Sequence, residues 1–184
     1  MSSIYQPSED SYLLQESLKK YLKKYKKNIN ILDMGSGSGI QAQTCKDLGF
    51  KKVLTSDINP EVIKHLKKQK LKTILSNLFS DIPKTKKFDL IIFNPPYLPE
   101  DKREPLDSKL QTTGGKKGYE IIIKFLTQAK KHLTKKGKIL LLFSSLSKPS
   151  IIKTKSKKQG YSIKKLNQTS LFFEKLYVYE FLKN

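Results

Sequence analysis

The sequence predicts an α/β fold, a mostly parallel β-sheet with right-handed crossovers and helices on both faces. Three observations predict it. Short apolar runs alternate with amphipathic stretches along most of the chain, the pattern of repeated βαβ units. The first run leads directly into Gly35-Ser36-Gly37-Ser38-Gly39 and then a helical stretch, the layout of a nucleotide-binding βα turn. Three suspected ligand groups, around Asp33, at Asp57 and at Asn94, all fall at C-terminal ends of strands, where open α/β sheets bind ligands. No repeat, linker or second domain is evident, so residues 1–184 are expected to form a single domain.

The elements follow in order. An N-terminal helix is expected over residues 8–27, capped by Ser8, with Glu9 and Asp10 at the end that favours acids. Leu14, Leu18, Tyr21, Leu22 and Tyr25 recur on one face, and lysines fill the other. Asn28–Met34 reads as a buried strand, and Ile40–Leu48 as a helix stopped by Gly49. Lys52–Ser56 is a second strand ending at Asp57. Asn59-Pro60 opens the next helix, with proline at its first position. Lys72–Ser76 is a third strand, followed by Asn77-Leu78-Phe79. Phe88–Phe93 is the fourth. The segment Leu98–Lys117 reads as a long polar loop, and such loops are usually functional or mobile. Ile122, Phe125, Leu126, Ala129 and Leu133 define a helix ending near Gly137. Lys138–Phe143 is the fifth strand and Ile151–Gln159 a short basic helix. Ser162–Gln168 and Leu171–Leu182 read as a closing antiparallel hairpin over residues 162–183.

The glycine loop lacks a following Gly-Lys-Ser/Thr, so it is not a Walker A loop. With Asp33 two residues before Gly35, it matches the S-adenosylmethionine version better than a dinucleotide fingerprint. Asp57 lies 22 residues after Gly35, where an acid grips a ribose diol in doubly wound folds.

The fourth strand ends in Asn94-Pro95-Pro96-Tyr97. Two prolines lock φ and remove N–H groups, and they push Asn94 out of the helical region. The corner therefore presents two acceptors, the Asn94 side-chain oxygen and the Pro95 carbonyl. Two convergent acceptors suit an NH₂ group held by both hydrogens, and Tyr97 offers a flat face for a planar group. Such a corner serves alkyl transfer to a planar amide or amine nitrogen, with positioning supplying most of the rate. Direct in-line transfer is expected, with no covalent enzyme intermediate, no metal and no His or Cys base. His65 and His132 sit in expected helices and read as surface or packing residues.

The net charge is +21 and is almost all lysine, Arg103 being the lone arginine. Between Glu120 and Glu174 there is no acid but thirteen lysines. The loop after Tyr97 is acidic instead, with Glu100, Asp101, Glu104 and Asp107. Arginine forks are the better readers of bases and phosphates, so the lysine excess fits a polyanion-associated partner or plain solvated faces. Cys45 is alone, which excludes an internal disulfide or cysteine metal cluster. There is no apolar run of membrane length. Met1-Ser2-Ser3-Ile4-Tyr5 shows no signal-peptide pattern, and a cytoplasmic location is expected.

Five pieces together resemble the HemK-like glutamine N5-methyltransferases, Rossmann-like class I enzymes that use S-adenosylmethionine. They are Tyr5-Gln6-Pro7-Ser8-Glu9-Asp10-Ser11, Asp33–Gly39, Asp57-Ile58-Asn59-Pro60, Asn94–Pro99 and Gly114-Gly115-Lys116-Lys117-Gly118-Tyr119-Glu120. Within that family the chain resembles the short branch acting on archaeal and eukaryotic-type release factors. The resemblance implies seven strands with the last antiparallel. It implies cofactor contacts from Ser11, Asp33, Gly35, Gly37, Asp57, Ile58, Asn77, Leu78 and Asn94. Asp33 would lie near the methionine amino group, Asp57 on the ribose and Asn77 by the adenine. Asn94, Pro95, Pro96 and Tyr97 would bind the acceptor, a glutamine in the Gly-Gly-Gln loop of a release factor. Asn77 stands where the family commonly has Asp, and Ser11 where it often has Thr. The helical recognition domain of bacterial relatives is not expected here. A heterodimer with a small zinc-binding activator is expected instead, covering apolar surface near one sheet edge. The basic surface also suits indirect association with nucleic acid or the ribosome. An exocyclic amine of adenine or cytosine is the alternative acceptor, since Asn-Pro-Pro-Tyr is shared with enzymes that methylate those bases. A non-catalytic binding module is the third reading.

Overall fold

The computed structural model describes residues 4–184, apart from the side chains of residues 106, 107 and 110. Met1-Ser2-Ser3 and the Asp107 side chain lie outside the described residues. Among the described residues seven strands form one sheet: β1 Ile31–Met34, β2 Val53–Asp57, β3 Lys72–Leu75, β4 Phe88–Phe93, β5 Leu133–Ser144, β6 Tyr161–Ser170 and β7 Lys175–Lys183. Their spatial order is β3-β2-β1-β4-β5-β7-β6. The ladder is parallel from β3 through β5, and β7 alone runs against its neighbours. The strand order reverses between β1 and β4, and their register pairs Met34 with Phe93. Gly35 and Asn94 therefore leave the sheet side by side, at the switch point where such folds bind ligands.

The central strands alternate sides. Leu32, Met34, Ile91 and Phe93 face one layer with α5 (Glu120–Ala129) and α6 (Pro149–Lys158). Ile31, Leu90 and Ile92 face the other, with α1 (Glu9–Leu22), α2 (Ile40–Asp47) and α3 (Pro60–Lys68). Cys45 is fully buried in this second layer, and burial pushes its thiol pKa up, with the Asp33 charge adding to it. Among the described residues no helix is long and apolar enough to cross a membrane.

The first helix is shorter than expected. Its buried stripe runs out at Leu22, the lysine-dense residues that follow turn the chain toward β1, and Tyr25 instead bonds Tyr21 from that turn, hydroxyl to hydroxyl at 2.9 Å. Ser8 makes no side-chain cap; its hydroxyl donates to Glu9. Asn59 does cap α3, accepting from the Glu61 N–H at 3.0 Å.

The segment expected to be all loop contains α4, Leu106–Thr112. Leu133 opens β5 instead of closing a helix, and Gly137 lies within that strand. A register shift opposite Phe88 and Leu90 absorbs the extra residues. His132 consequently sits in the turn before β5, not in a helix. It stacks on Phe79 at 4.6 Å, and its Nδ1 lies 3.1 Å from the Lys86 carbonyl. That is a packing role.

Candidate active site

A cavity of about 680 Å³ opens at the carboxyl ends of β1, β2 and β4, well within the range of roughly 300–1,000 Å³ for small-molecule sites. Ser11, Asp33, Gly35, Gly37, Asp57, Ile58, Asn77, Leu78, Asn94, Pro95 and Pro96 all border it. Tyr97 does not: its ring packs against both core layers, and its hydroxyl lies 3.5 Å from Asp10 Oδ2.

The glycine loop is shaped for close approach. Gly35 has φ +59°, and a Cβ there would come within 3.0 Å of the Phe93 ring. Only glycine takes that turn at no steric cost. The loop is also tied to β2: the Gly37 N–H donates to Asp57 Oδ2 at 3.1 Å, and the Asn59 N–H donates to Oδ1 at 2.9 Å. Burial raises the Asp57 pKa, and these N–H donors oppose the shift. Asp33 is the more extreme acid. Burial pushes its carboxyl up to about 7, the Ala42 N–H at 3.1 Å pulls it down, and the Asp57 charge raises it. A desolvated carboxylate of this kind is stabilised by an incoming cation.

Leu78 adopts φ +54° beside Asn77, an uncommon conformation for a side-chain-bearing residue and one that concentrates at binding sites. Its carbonyl is held by the Ser76 hydroxyl at 2.8 Å.

Two further residues that sequence reasoning missed border the cavity and orient its polar groups. Asp10 read as a favourable acid in a helix first turn. In the structure it is buried, and its carboxylate receives the Asn94 Nδ2 at 3.0 Å and the Tyr5 hydroxyl at 2.9 Å. A carboxylate only accepts, so Asp10 fixes which way the Asn94 amide faces. Its NH₂ turns to Asp10, and Oδ1 is left buried with no partner among the described residues. Gln41 repeats this arrangement. It is 4% exposed, its Nε2 donates to the Ser11 carbonyl at 2.8 Å, and Oε1 is left buried and unpaired among the described residues. Both amides border the same cavity. An unpaired buried acceptor costs about 1–3 kcal/mol, and a ligand N–H at either position would recover it.

The corner is braced from outside. Tyr97 and Leu98 donate their N–H groups to the Thr112 carbonyl at 3.0 and 2.8 Å, and the Gly114 N–H donates to the Leu98 carbonyl at 2.9 Å. A Cβ on Gly114 would lie 2.7 Å from the Pro96 carbonyl. The segment from α4 through the Gly114–Gly118 turn thus clamps the proline pair.

The family model for the methyltransferase small domain matches residues 8–165. A protein named as an N5-glutamine methyltransferase in Methanocaldococcus jannaschii is 36% identical over 183 residues, covering 95% of this chain and 89% of that one. Human methyltransferase HEMK2 is 27% identical over 170 residues, covering 84% and 79%. In fold, the chain is similar to the E. cuniculi Mtq2-Trm112 complex, described as methylating the translation termination factor eRF1. That match has a TM-score of 0.78 at 23% identity and covers 98% of each chain. With its glycine loop, strand-end acids and Asn-Pro-Pro corner brought together at one end of the sheet, the chain belongs to the methyltransferase small domain family, among the HemK-like protein glutamine methyltransferases.

Proposed function

We propose that the chain uses S-adenosylmethionine to methylate the side-chain amide nitrogen of a glutamine in the Gly-Gly-Gln loop of a release factor. The orientation of Asn94 carries this reading. A primary amide needs an acceptor for each hydrogen, and Asp10 leaves Asn94 Oδ1 unpaired beside the cavity. The Pro95 carbonyl would be the second acceptor. Holding both N–H groups aims the nitrogen and keeps its electron density in place, so positioning replaces a strong base. The relatives' names support a polypeptide acceptor.

The residues present fit the cofactor, which when bound supplies a methyl group activated by positive sulfur. Asp57 would take the ribose hydroxyls. Asp33 and Gln41 Oε1 would take the α-ammonium, Ser11 would stand beside the amino-acid end, and Asn77 and Leu78 would border the adenine. Ile58, half exposed at the same rim, would cover an apolar face.

Asp33 makes the cofactor site pH-dependent. Its pKa in the folded protein, about 7, exceeds the ordinary 3.8. The stability this group contributes is therefore present below about pH 4 and lost as pH rises through 7. A bound ammonium displaces that proton. Cofactor affinity is expected to rise by up to about tenfold per pH unit below 7 and to fall again as the ligand's own α-ammonium loses its proton at pH ~8. Titration calorimetry from pH 5.5 to 8.5 checks this, and Asp33→Asn should flatten the profile. A steep slope surviving in that variant would remove Asp33 from the ammonium seat.

An activator subunit is part of the proposal, in the form of a small zinc-binding protein. Strand β3 is the end of the sheet order, and Leu75 on it, paired with Asp57, is 47% exposed. An open apolar edge of this kind suits strand addition by a partner.

The deciding assay is transfer of labelled methyl to a cognate release factor, to the same factor with its Gly-Gly-Gln glutamine changed, and to nucleic acid, with and without the activator. Label on the release factor that vanishes with the glutamine change is the expected result. Label confined to nucleic acid would replace glutamine with an exocyclic base amine.

A further inference from the structure

We infer that the tip of the β6–β7 hairpin, Phe172 and Phe173 with neighbouring Leu146, is a docking surface for the polypeptide substrate, gripping apolar side chains outside the methylated loop. This rests on the polypeptide acceptor proposed above.

Phe172 and Phe173 are 92% and 85% exposed, with their rings set edge to face at 4.6 Å. Hairpin tips ordinarily carry Gly, Asn, Asp or Ser. Two phenylalanines facing water contribute little to folding, and exposed aromatics are the residues that anchor protein interfaces. The tip is also a defined shape, because the Leu171 N–H closes the turn on the Glu174 carbonyl at 2.7 Å.

Its location ties it to the acceptor site. Ser144 pairs with Leu176 and Leu141 with Phe93, so the hairpin tip and Asn94 lie at the same end of the sheet. A 3-10 turn, Ser145–Ser147, bridges them. Ser147 Oγ donates to the Tyr97 carbonyl at 2.8 Å, the Lys175 N–H donates to Ser145 Oγ at 3.0 Å, and Ser144 donates to Glu174. Leu146, 43% exposed, sits within that bridge.

Charge selects the occupant. Glu174 follows Phe173 and accepts from the Ser144 hydroxyl beside the bridge; burial chiefly raises the hydroxyl pKa values of Tyr5 and Tyr97, and the Glu174 charge adds to it. Lys175 follows Glu174 and Lys148 follows the Ser145–Ser147 turn, so the surface is of mixed sign. A polyanion reaching the corner from this side would have to cross a carboxylate, whereas a polypeptide with an apolar anchor would not.

The test is the full-length double variant Phe172→Ser/Phe173→Ser, with activator present if the wild type needs it. Both residues are solvent-exposed, so folding and cofactor affinity should be unchanged. For full-length release factor, KM is expected to rise at least tenfold with kcat within about twofold. For a short Gly-Gly-Gln peptide, kcat/KM should stay within about twofold. An unchanged KM for the full factor overturns the inference while leaving the acceptor assignment standing. The same holds if the variant changes only self-association by light scattering, or only binding to an RNA homopolymer. A wild type that fails to methylate the factor removes both readings.

Discussion

Asn94→Ala is expected to lower kcat by about a thousandfold or more while cofactor affinity stays within about threefold. The change deletes the acceptor that Asp10 leaves unpaired. The glutamine amide would then hang from one contact and sample orientations in which its nitrogen faces away from the methyl group. A thousandfold corresponds to about 4 kcal/mol of barrier, within what orientation supplies in bimolecular chemistry. The loss should fall on kcat, because the rest of the acceptor's binding surface is untouched. Single-turnover transfer and calorimetric cofactor binding, measured on the same preparation, separate the two quantities. Near-normal turnover would show that Asn94 does not hold the reacting amide.

Asp10→Asn is expected to cost about ten- to a hundredfold in kcat without a comparable change in cofactor Kd. Asparagine both donates and accepts, so it no longer dictates that Asn94 shows its NH₂ inward. A share of molecules would present Asn94 with the donor toward the substrate, where a glutamine NH₂ finds repulsion instead of a partner. Tyr5→Phe is the control. It removes the 2.9 Å bond from Tyr5 to Asp10 but leaves the Asn94 bond in place. Turnover within about threefold of wild type is expected there. If Tyr5→Phe falls as far as Asp10→Asn, Asp10 acts through general support of the N-terminal segment and not through the Asn94 amide.

The contrast between these two residues marks how far the sequence could be read. Asn94 was legible because its neighbours are local: a strand before it, two prolines after it, and a backbone with little freedom. Asp10 was not, because its meaning depends on a contact 84 positions away. On its own segment it has the features of any acid opening a helix. Gln41 was hidden in the same way. A glutamine in a short helix reads as a solvent-facing residue until the packing of α1 on α2 buries it. The parallel strands, the glycine loop and Asp57 were readable from periodicity and spacing. The elements that went astray are those whose local signals compete. Leu133 continues the helical spacing of Ile122, Phe125, Leu126 and Ala129 and is buried as that pattern requires, yet it is buried as a strand residue. Helix α4 has only seven residues and a proline before it, too little periodicity to stand out from a polar loop.

Tyr97 sharpens the point about short motifs. The tetrapeptide suggests an aromatic shelf for the acceptor, but the structure gives that ring to the packing between core layers. The part of the corner bordering the cavity is Asn94, Pro95 and Pro96.

The buried state of Cys45 has a practical consequence. It is the chain's one thiol; enclosed in the core with its pKa raised, it is shielded from alkylating dyes. The wild-type chain should therefore behave toward maleimides as if cysteine-free. Phe173→Cys would introduce a single labelling point, and a fluorophore there would turn substrate engagement into a stopped-flow signal that owes nothing to methyl transfer.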